Sequence, residues 1–232
     1  QGRGLAMAPQ SASAAATTAF RTVARSRRSA RRFQPGRVIP NPIIKDVLET
    51  TLTSPSGFNL QPTHAIVVRS PEMKERLAAE SMLGAGNAFR TRDASALTVF
   101  VSDLEVHKRI GRIYELERES GARDPYYMSV MPAASSFLSG EGHLATWLKQ
   151  AATDALSPIQ PMPTVDSVQA WAYKNAGMMA QTYILACESH GLATCAMEGF
   201  DARRVKEALR IPDRFDVPLA VATGYPYEGE GW

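Results

Sequence analysis

The sequence predicts an α+β sandwich in which helices pack on a central sheet. Apolar runs of strand length occupy residues 64–68, 96–101, 192–197 and 217–223, and helical stretches separate them. The connections are too uneven for the regular alternation of a doubly wound parallel sheet.

Taken in order, residues 12–25 set small and apolar positions at helical spacing, and an Arg-rich loop follows. Asn41 is placed to cap a second helix that has Pro42 in its first turn. A Pro/Ser/Gly stretch at 54–62 leads into the β-branched run 64–68, and Pro71 opens a helix reaching about Ala79. The run 96–101 is the next strand. Charges at helical spacing cover 103–120, whereas 121–165 reads as irregular, with Gly140, Gly142, Pro158, Pro161 and Pro163 interrupting short helical pieces. So long an excursion inside one domain usually covers a site. The stretch 167–190 is apolar on nearly every side, which predicts a helix buried on several faces and closed by Gly191. Asp201 caps a helix over 202–209, and the last strand follows.

Composition bounds the function. A chain of 232 residues, 44% hydrophobic and 21% charged, is long enough for a core that needs no disulfides. Cys187 and Cys195 lack a CxxC pairing or metal spacing and read as packed thiols, so no metal site is expected. Nine of the 26 Lys+Arg lie in residues 1–45, where no acid occurs, leaving 17 against all 23 Asp+Glu. The body is therefore acidic, and a nucleic-acid surface is not expected. No apolar run is long enough to span a bilayer. The first twenty residues are rich in Ala, Ser and Thr, lack acids and begin with Gln, a composition that suggests an organellar targeting remnant, with a cytoplasmic protein as the alternative. The expected organisation is a tail at 1–20 and a single domain at 21–232 with a helical insertion at about 103–165.

Three segments carry chemistry. Arg27-Arg28-Ser29-Ala30-Arg31-Arg32-Phe33 gathers guanidinium forks suited to phosphate oxygens, although a solvated charge run has the same composition. Ser54-Pro55-Ser56-Gly57-Phe58-Asn59-Leu60-Gln61-Pro62 offers Asn59 and Gln61 amides that match a flat heterocycle's edge, or simply makes a loop. Glu198-Gly199-Phe200-Asp201 joins a strand to a helix, where the Gly199 N–H can meet a ligand or Gly199 can merely close a turn. His64, His107, His143 and His190 have no arrangement that marks a general base, and each reads as structural or solvated.

In this order and at this separation, the three segments resemble the FMN-dependent nitroreductase family, and Gly224-Tyr225-Pro226 fits that family's closing motif. The resemblance spans roughly residues 20–227. The wording Gly57-Phe58-Asn59-Leu60-Gln61 and the 121–165 segment look most like a eukaryotic mitochondrial branch. The resemblance implies a three-layer sandwich with a mostly antiparallel central sheet and an obligate homodimer. It also implies FMN as cofactor and NADH or NADPH as reductant.

By the same resemblance, Arg27, Arg28 and Ser29 would hold the FMN phosphate and ribityl chain, and Arg31 would reach the pyrimidine edge, which Asn87 and Arg90 would also address. Pro55, Ser56, Gly57, Asn59 and Gln61 form the loop that would come from the other subunit. Glu198 and Gly199 would lie beside the flavin N5. Two departures stand out. The Lys or Arg that the family places just beyond its Gly-Tyr-Pro motif is missing from 227–232, which implies a trimmed terminus or weaker phosphate binding. Thr63 replaces the aromatic that commonly follows Gln-Pro, which alters the substrate-facing surface. The implied activity is ping-pong transfer of two electrons from NAD(P)H to a nitroaromatic or quinone. Reductive dehalogenation, or a non-catalytic flavin-binding subunit of an organellar complex, are the alternatives.

Overall fold

The structure, a computed structural model, describes residues 13–139 and 143–229. Helices α1 (Ala14–Ser26) and α2 (Asn41–Thr51) precede β1 (Thr63–Val68), α3 (Pro71–Glu80), α4 (Gly84–Asp93) and β2 (Ala96–Asp103). Helices α5 (Ile110–Ser120), α6 (Pro125–Ser139), α7 (His143–Leu156) and α8 (Val168–Ser189) follow, and β3 (Ala193–Met197), α9 (Ala202–Leu209) and β4 (Phe215–Gly224) complete the chain. Single 3-10 turns lie at Gly57–Asn59 and Val106–Arg109.

The four strands pair antiparallel in the order β1-β2-β4-β3. Alternation along β2 explains the layers, since successive side chains point to opposite faces. Leu97, Val99 and Val101 join one cluster with Leu77 of α3 and Val205 of α9. On the other face, Phe100 packs with Val47 of α2 and Met179, Ala180 and Tyr183 of α8. The result is a three-layer α+β sandwich with a fully buried central strand. A third cluster, of Leu60, Val106, Ile113, Met131 and Trp171, roots the insertion on the start of α8.

Several sequence expectations shift. Asn41 is the first residue of α2 and Pro40 holds the cap position; the Asn41 side chain instead accepts a hydrogen bond from Arg69. Residues 121–165 contain two helices where irregular chain was expected. The glycines that suggested interruption, Gly140 and Gly142, fall outside the described residues, while Pro158, Pro161 and Pro163 lie beyond the end of α7. Helix α4 was not anticipated, because Gly84 and Gly86 lower its propensity and its residues lack an apolar stripe. Ser167 and Asp201 cap α8 and α9, accepting from the N–H groups of Ala170 and Arg204 at 3.1 Å each.

Candidate functional site: a cationic cleft along the outer strand

The Arg-rich loop runs against the outer edge of β3. Ser29 bridges Thr194 in parallel, and the Ala30 N–H donates to the Thr194 carbonyl at 2.8 Å. This contact fixes where the guanidinium groups start. Arg27 is half-buried and Arg31 exposed, and among the described residues neither pairs with a carboxylate. Arg28 is anchored through one of its nitrogens. It folds back over the end of α1, donating to the carbonyls of Arg25 at 2.5 Å and Arg27 at 2.9 Å. Its Nη1 thereby satisfies carbonyls that the last turn leaves open, while its other N–H groups have no partner among the described residues and Arg28 lines a cavity with Arg31, Leu192 and Ala193. Arg32 stacks over the Tyr227 ring at 4.3 Å.

Farther along the same edge, the Glu198-Gly199-Phe200-Asp201 turn is stitched to the chain before α4. Met82 bridges Phe200, Leu83 N–H donates to the Gly199 carbonyl at 2.9 Å, and Asp201 N–H donates to the Ser81 carbonyl at 2.8 Å. Asn87 Nδ2 also donates to the Gly199 carbonyl at 3.0 Å. A Cβ at residue 199 would stand 2.4 Å from that nitrogen, so the approach of Asn87 demands glycine here. Among the described residues the Gly199 N–H has no acceptor. Glu198 is exposed.

Arg90 lies one helical turn beyond Asn87 and donates to its Oδ1 at 3.0 Å. Burial pushes the Cys195 thiol up, and the nearby Arg90 guanidinium opposes that shift, which places the cation alongside β3. Arg90 Nε is buried without a hydrogen-bond partner. Buried polar groups are nearly always satisfied, so a donor left open among the described residues stands out as a candidate for an acceptor. With β3 rising about 3.3 Å per residue, Thr194 and Met197 are roughly 10 Å apart. Arg27, Ser29, Arg31, Arg90, Asn87 and Gly199 thus spread along one edge.

The loop around Gly57 is elsewhere. It leads into β1 at the opposite edge of the sheet, and at the opposite end, because Thr63 pairs with Ser102 and Ser102 with Asp216. Seven residues of β4 separate that level from Thr223, the partner of Thr194. Combining that rise with three strand spacings puts the two segments on the order of 25 Å apart. Within the loop, Gly57 N–H donates to Asn175 Oδ1 at 2.9 Å and Gln61 N–H to Ser56 Oγ at 2.9 Å. A Cβ on Gly57 would meet the Trp171 ring at 2.8 Å. Asn59 and Gln61, read from sequence as addressing a ring, bond each other at 3.1 Å, and Asn59 also donates to Glu117 Oε1 at 3.1 Å. Pro55 is exposed and Ser56 half-buried. One chain therefore brings together the Arg27–Arg31, Asn87–Arg90 and Glu198–Gly199 groups, and leaves the Pro55–Gln61 group apart.

Sequence reasoning did not single out Asn175, Glu117 or Arg109, which hold that loop. Arg109 donates to the Gln61 carbonyl at 2.8 Å and to Asp103 at 3.2 Å, and lies 2.8 Å from His64 Nε2. Their only sequence signal is a polar residue on a face otherwise destined for burial, and that face is not recognisable before the fold is known.

A three-layer sandwich thus carries cationic, partly unsatisfied groups along its outer strand. The chain belongs to the nitroreductase family, whose profile matches residues 24–225. It is 30% identical over 212 residues to an NADH dehydrogenase of Thermus thermophilus, covering 91% of this chain and 88% of that one. It is 28% identical over 226 residues to a 4-nitrobenzoate reductase of Nocardioides, covering 90% and 81%. A nitroreductase of Exiguobacterium sibiricum solved in complex with FMN shares the fold, with a TM-score of 0.66, 20% identity, and 92% and 90% coverage.

Proposed function

We propose that the chain is an FMN-dependent reductase that works as a homodimer, taking two electrons from NADH or NADPH and passing them by a ping-pong cycle to nitroaromatic or quinone acceptors. Family membership supports the chemistry, and the names of the Thermus and Nocardioides relatives support the donor and acceptor classes. The observation that carries the proposal is the open donor set along β3: the buried Arg90 Nε, the Gly199 N–H and the unpaired guanidinium groups of Arg27 and Arg31. These donors fit the phosphate and carbonyl oxygens of a flavin mononucleotide.

Bound FMN supplies a two-electron carrier that accepts a hydride and returns it to a second substrate. The chain supplies placement and charge. Arg27 and the Ser29 hydroxyl would hold the phosphate end, close to their anchor on Thr194. Arg31, Asn87 and Arg90 would address the ring, and their positive charge favours the reduced state by offsetting the negative charge that arrives with electrons. The Gly199 N–H offers a donor, and its carbonyl cannot turn away because Leu83 and Asn87 hold it. Arg28, anchored to the end of α1 through Nη1, would add its remaining N–H groups to the phosphate end.

Two features favour a second copy as the missing half of the site. The Pro55–Gln61 loop is too distant to reach the cleft of its own chain. Helix α1 buries none of its residues and leaves Phe20 63% exposed, while Leu144 and Trp147 on α7 are 71% and 64% exposed. A 13-residue helix with no buried residue is marginal in water, and a second copy would give these apolar side chains a surface to pack on. An organellar location remains part of this reading, resting on the acid-free residues 1–45.

Purified protein is expected to be yellow, to bind added FMN, and to oxidise NAD(P)H in the presence of a nitroaromatic or quinone. An absorbance spectrum and one turnover assay check this. A colourless protein that takes up no FMN would end the proposal.

A further inference from the structure

Four described residues other than glycine have positive φ, and three of them fall in one four-residue stretch: Phe58 at 51°, Asn59 at 54° and Gln61 at 49°. Left-handed backbone is uncommon for a bulky residue and persists only where neighbours over-determine it, most often beside a ligand. Three side chains supply that constraint from other elements. Asn175 accepts from Gly57 N–H at 2.9 Å, Arg109 donates to the Gln61 carbonyl at 2.8 Å, and Glu117 accepts from Asn59 Nδ2 at 3.1 Å.

Glu117 differs from the other two because it comes from α5, within the insertion, and it is a buried acid at 7% exposure. Its other oxygen accepts from Arg123 Nε at 2.8 Å, and Arg123 lies over the Tyr127 ring of α6 at 5.1 Å. The contact also settles which way the Asn59 amide faces. Nδ2 must point at the carboxylate, so Oδ1 accepts from Gln61 Nε2 at 3.1 Å.

We propose that Glu117 is a positioning residue for flavin binding: by holding the Asn59 amide it locks the Phe58–Gln61 backbone in the shape that the partner's cleft receives. The insertion thereby sets the flavin site although none of its residues need touch the flavin. This rests on the FMN reading above, in which the loop completes a partner's site.

The test measures FMN dissociation constants on the full chain by flavin fluorescence, with thermal melting alongside. Glu117→Ala is expected to weaken FMN binding about tenfold, the low end of what a hydrogen bond to a charged group is worth. Glu117→Gln keeps an oxygen for Asn59 but loses the ion pair with Arg123. It should recover affinity to within about threefold while melting lower, a split that loss of folding stability alone does not produce. In an Asn59→Ala background, Glu117→Ala should add nothing. Should Glu117→Ala fail to fold, Glu117→Asp, which withdraws the carboxylate by one methylene, takes its place with the same expectation. Unchanged affinity in the Ala or Asp variant, or an effect that adds to that of Asn59→Ala, would overturn the positioning role. Absence of FMN binding by the unaltered chain would instead sink the underlying functional reading.

Discussion

At the scale of single residues, the site is organised by what each polar group has already been given. Arg28 and Arg27 are adjacent and chemically identical, yet one is anchored through Nη1 on carbonyls at the end of α1 and the other makes no such bond among the described residues. Identity in sequence does not fix role; the direction of each side chain from a loop pinned at Thr194 does. The same logic separates Asn59, engaged by Glu117 and Gln61, from Arg90, whose Nε is left open. His64 shows how such placement reaches stability. Burial pushes its imidazole below the ordinary 6.5, and the Arg109 guanidinium pushes it the same way. Asp103 opposes the shift and Arg214 adds to it. Because the unfolded chain takes the proton first, this contribution is intact above about pH 6.5 and is lost as the pH falls below it. Denaturant midpoints should therefore drop between about pH 7.5 and 5.5, and the drop should be smaller in His64→Gln. Equal drops in both proteins would show that the fold does not lower the His64 pKa.

At the scale of elements, α4 is the piece that the cleft depends on most and that the sequence shows least. It carries Asn87 and Arg90 three residues apart, hence on one face, but two glycines in its first turn and the lack of an apolar stripe hide it. Tertiary contacts hold it instead. The buried Lys74 of α3 donates to the carbonyls of Arg92, at 3.1 Å, and Ala94, closing the end of α4, and burial lowers the Lys74 pKa in consequence. Lys74→Met should leave those carbonyls unpaired and cost about 1–3 kcal/mol of stability, measured by chemical denaturation. FMN affinity should fall as well, since α4 loses its anchor. A variant as stable as the parent would place the restraint on α4 elsewhere.

The strands were easier to read. β2 is buried throughout and β4 over residues 220–224, and covered strands carry apolar runs that announce themselves. The Asp201 cap and the apolar α8 were equally legible, as local chemistry and all-round burial leave direct marks. Helices α6 and α7 were not, because glycines and prolines near their ends read as interruptions inside them. The Arg27, Ser54 and Glu198 segments stood out by composition and order. The clamp residues Glu117, Asn175 and Arg109 did not, since their partners lie between 48 and 118 residues away in sequence.

At the scale of the whole molecule, the sheet order explains why one chain holds only half of the proposed site. The cleft follows β3 and the Pro55–Gln61 loop precedes β1, and these strands are the two edges of the sheet. Two-fold pairing would bring an edge of one copy toward the opposite edge of the other, twice, because the same surfaces meet in both directions. The most direct test uses two defective chains carrying different affinity tags, Arg27→Ala and Gly57→Val, the latter forcing a side chain into Trp171. Each alone should bind little FMN. A heterodimer purified through both tags contains one site with both halves intact, so it should hold about one FMN per dimer and show about half the turnover of the unaltered protein. A heterodimer as empty as its parents would contradict a flavin site shared between two copies.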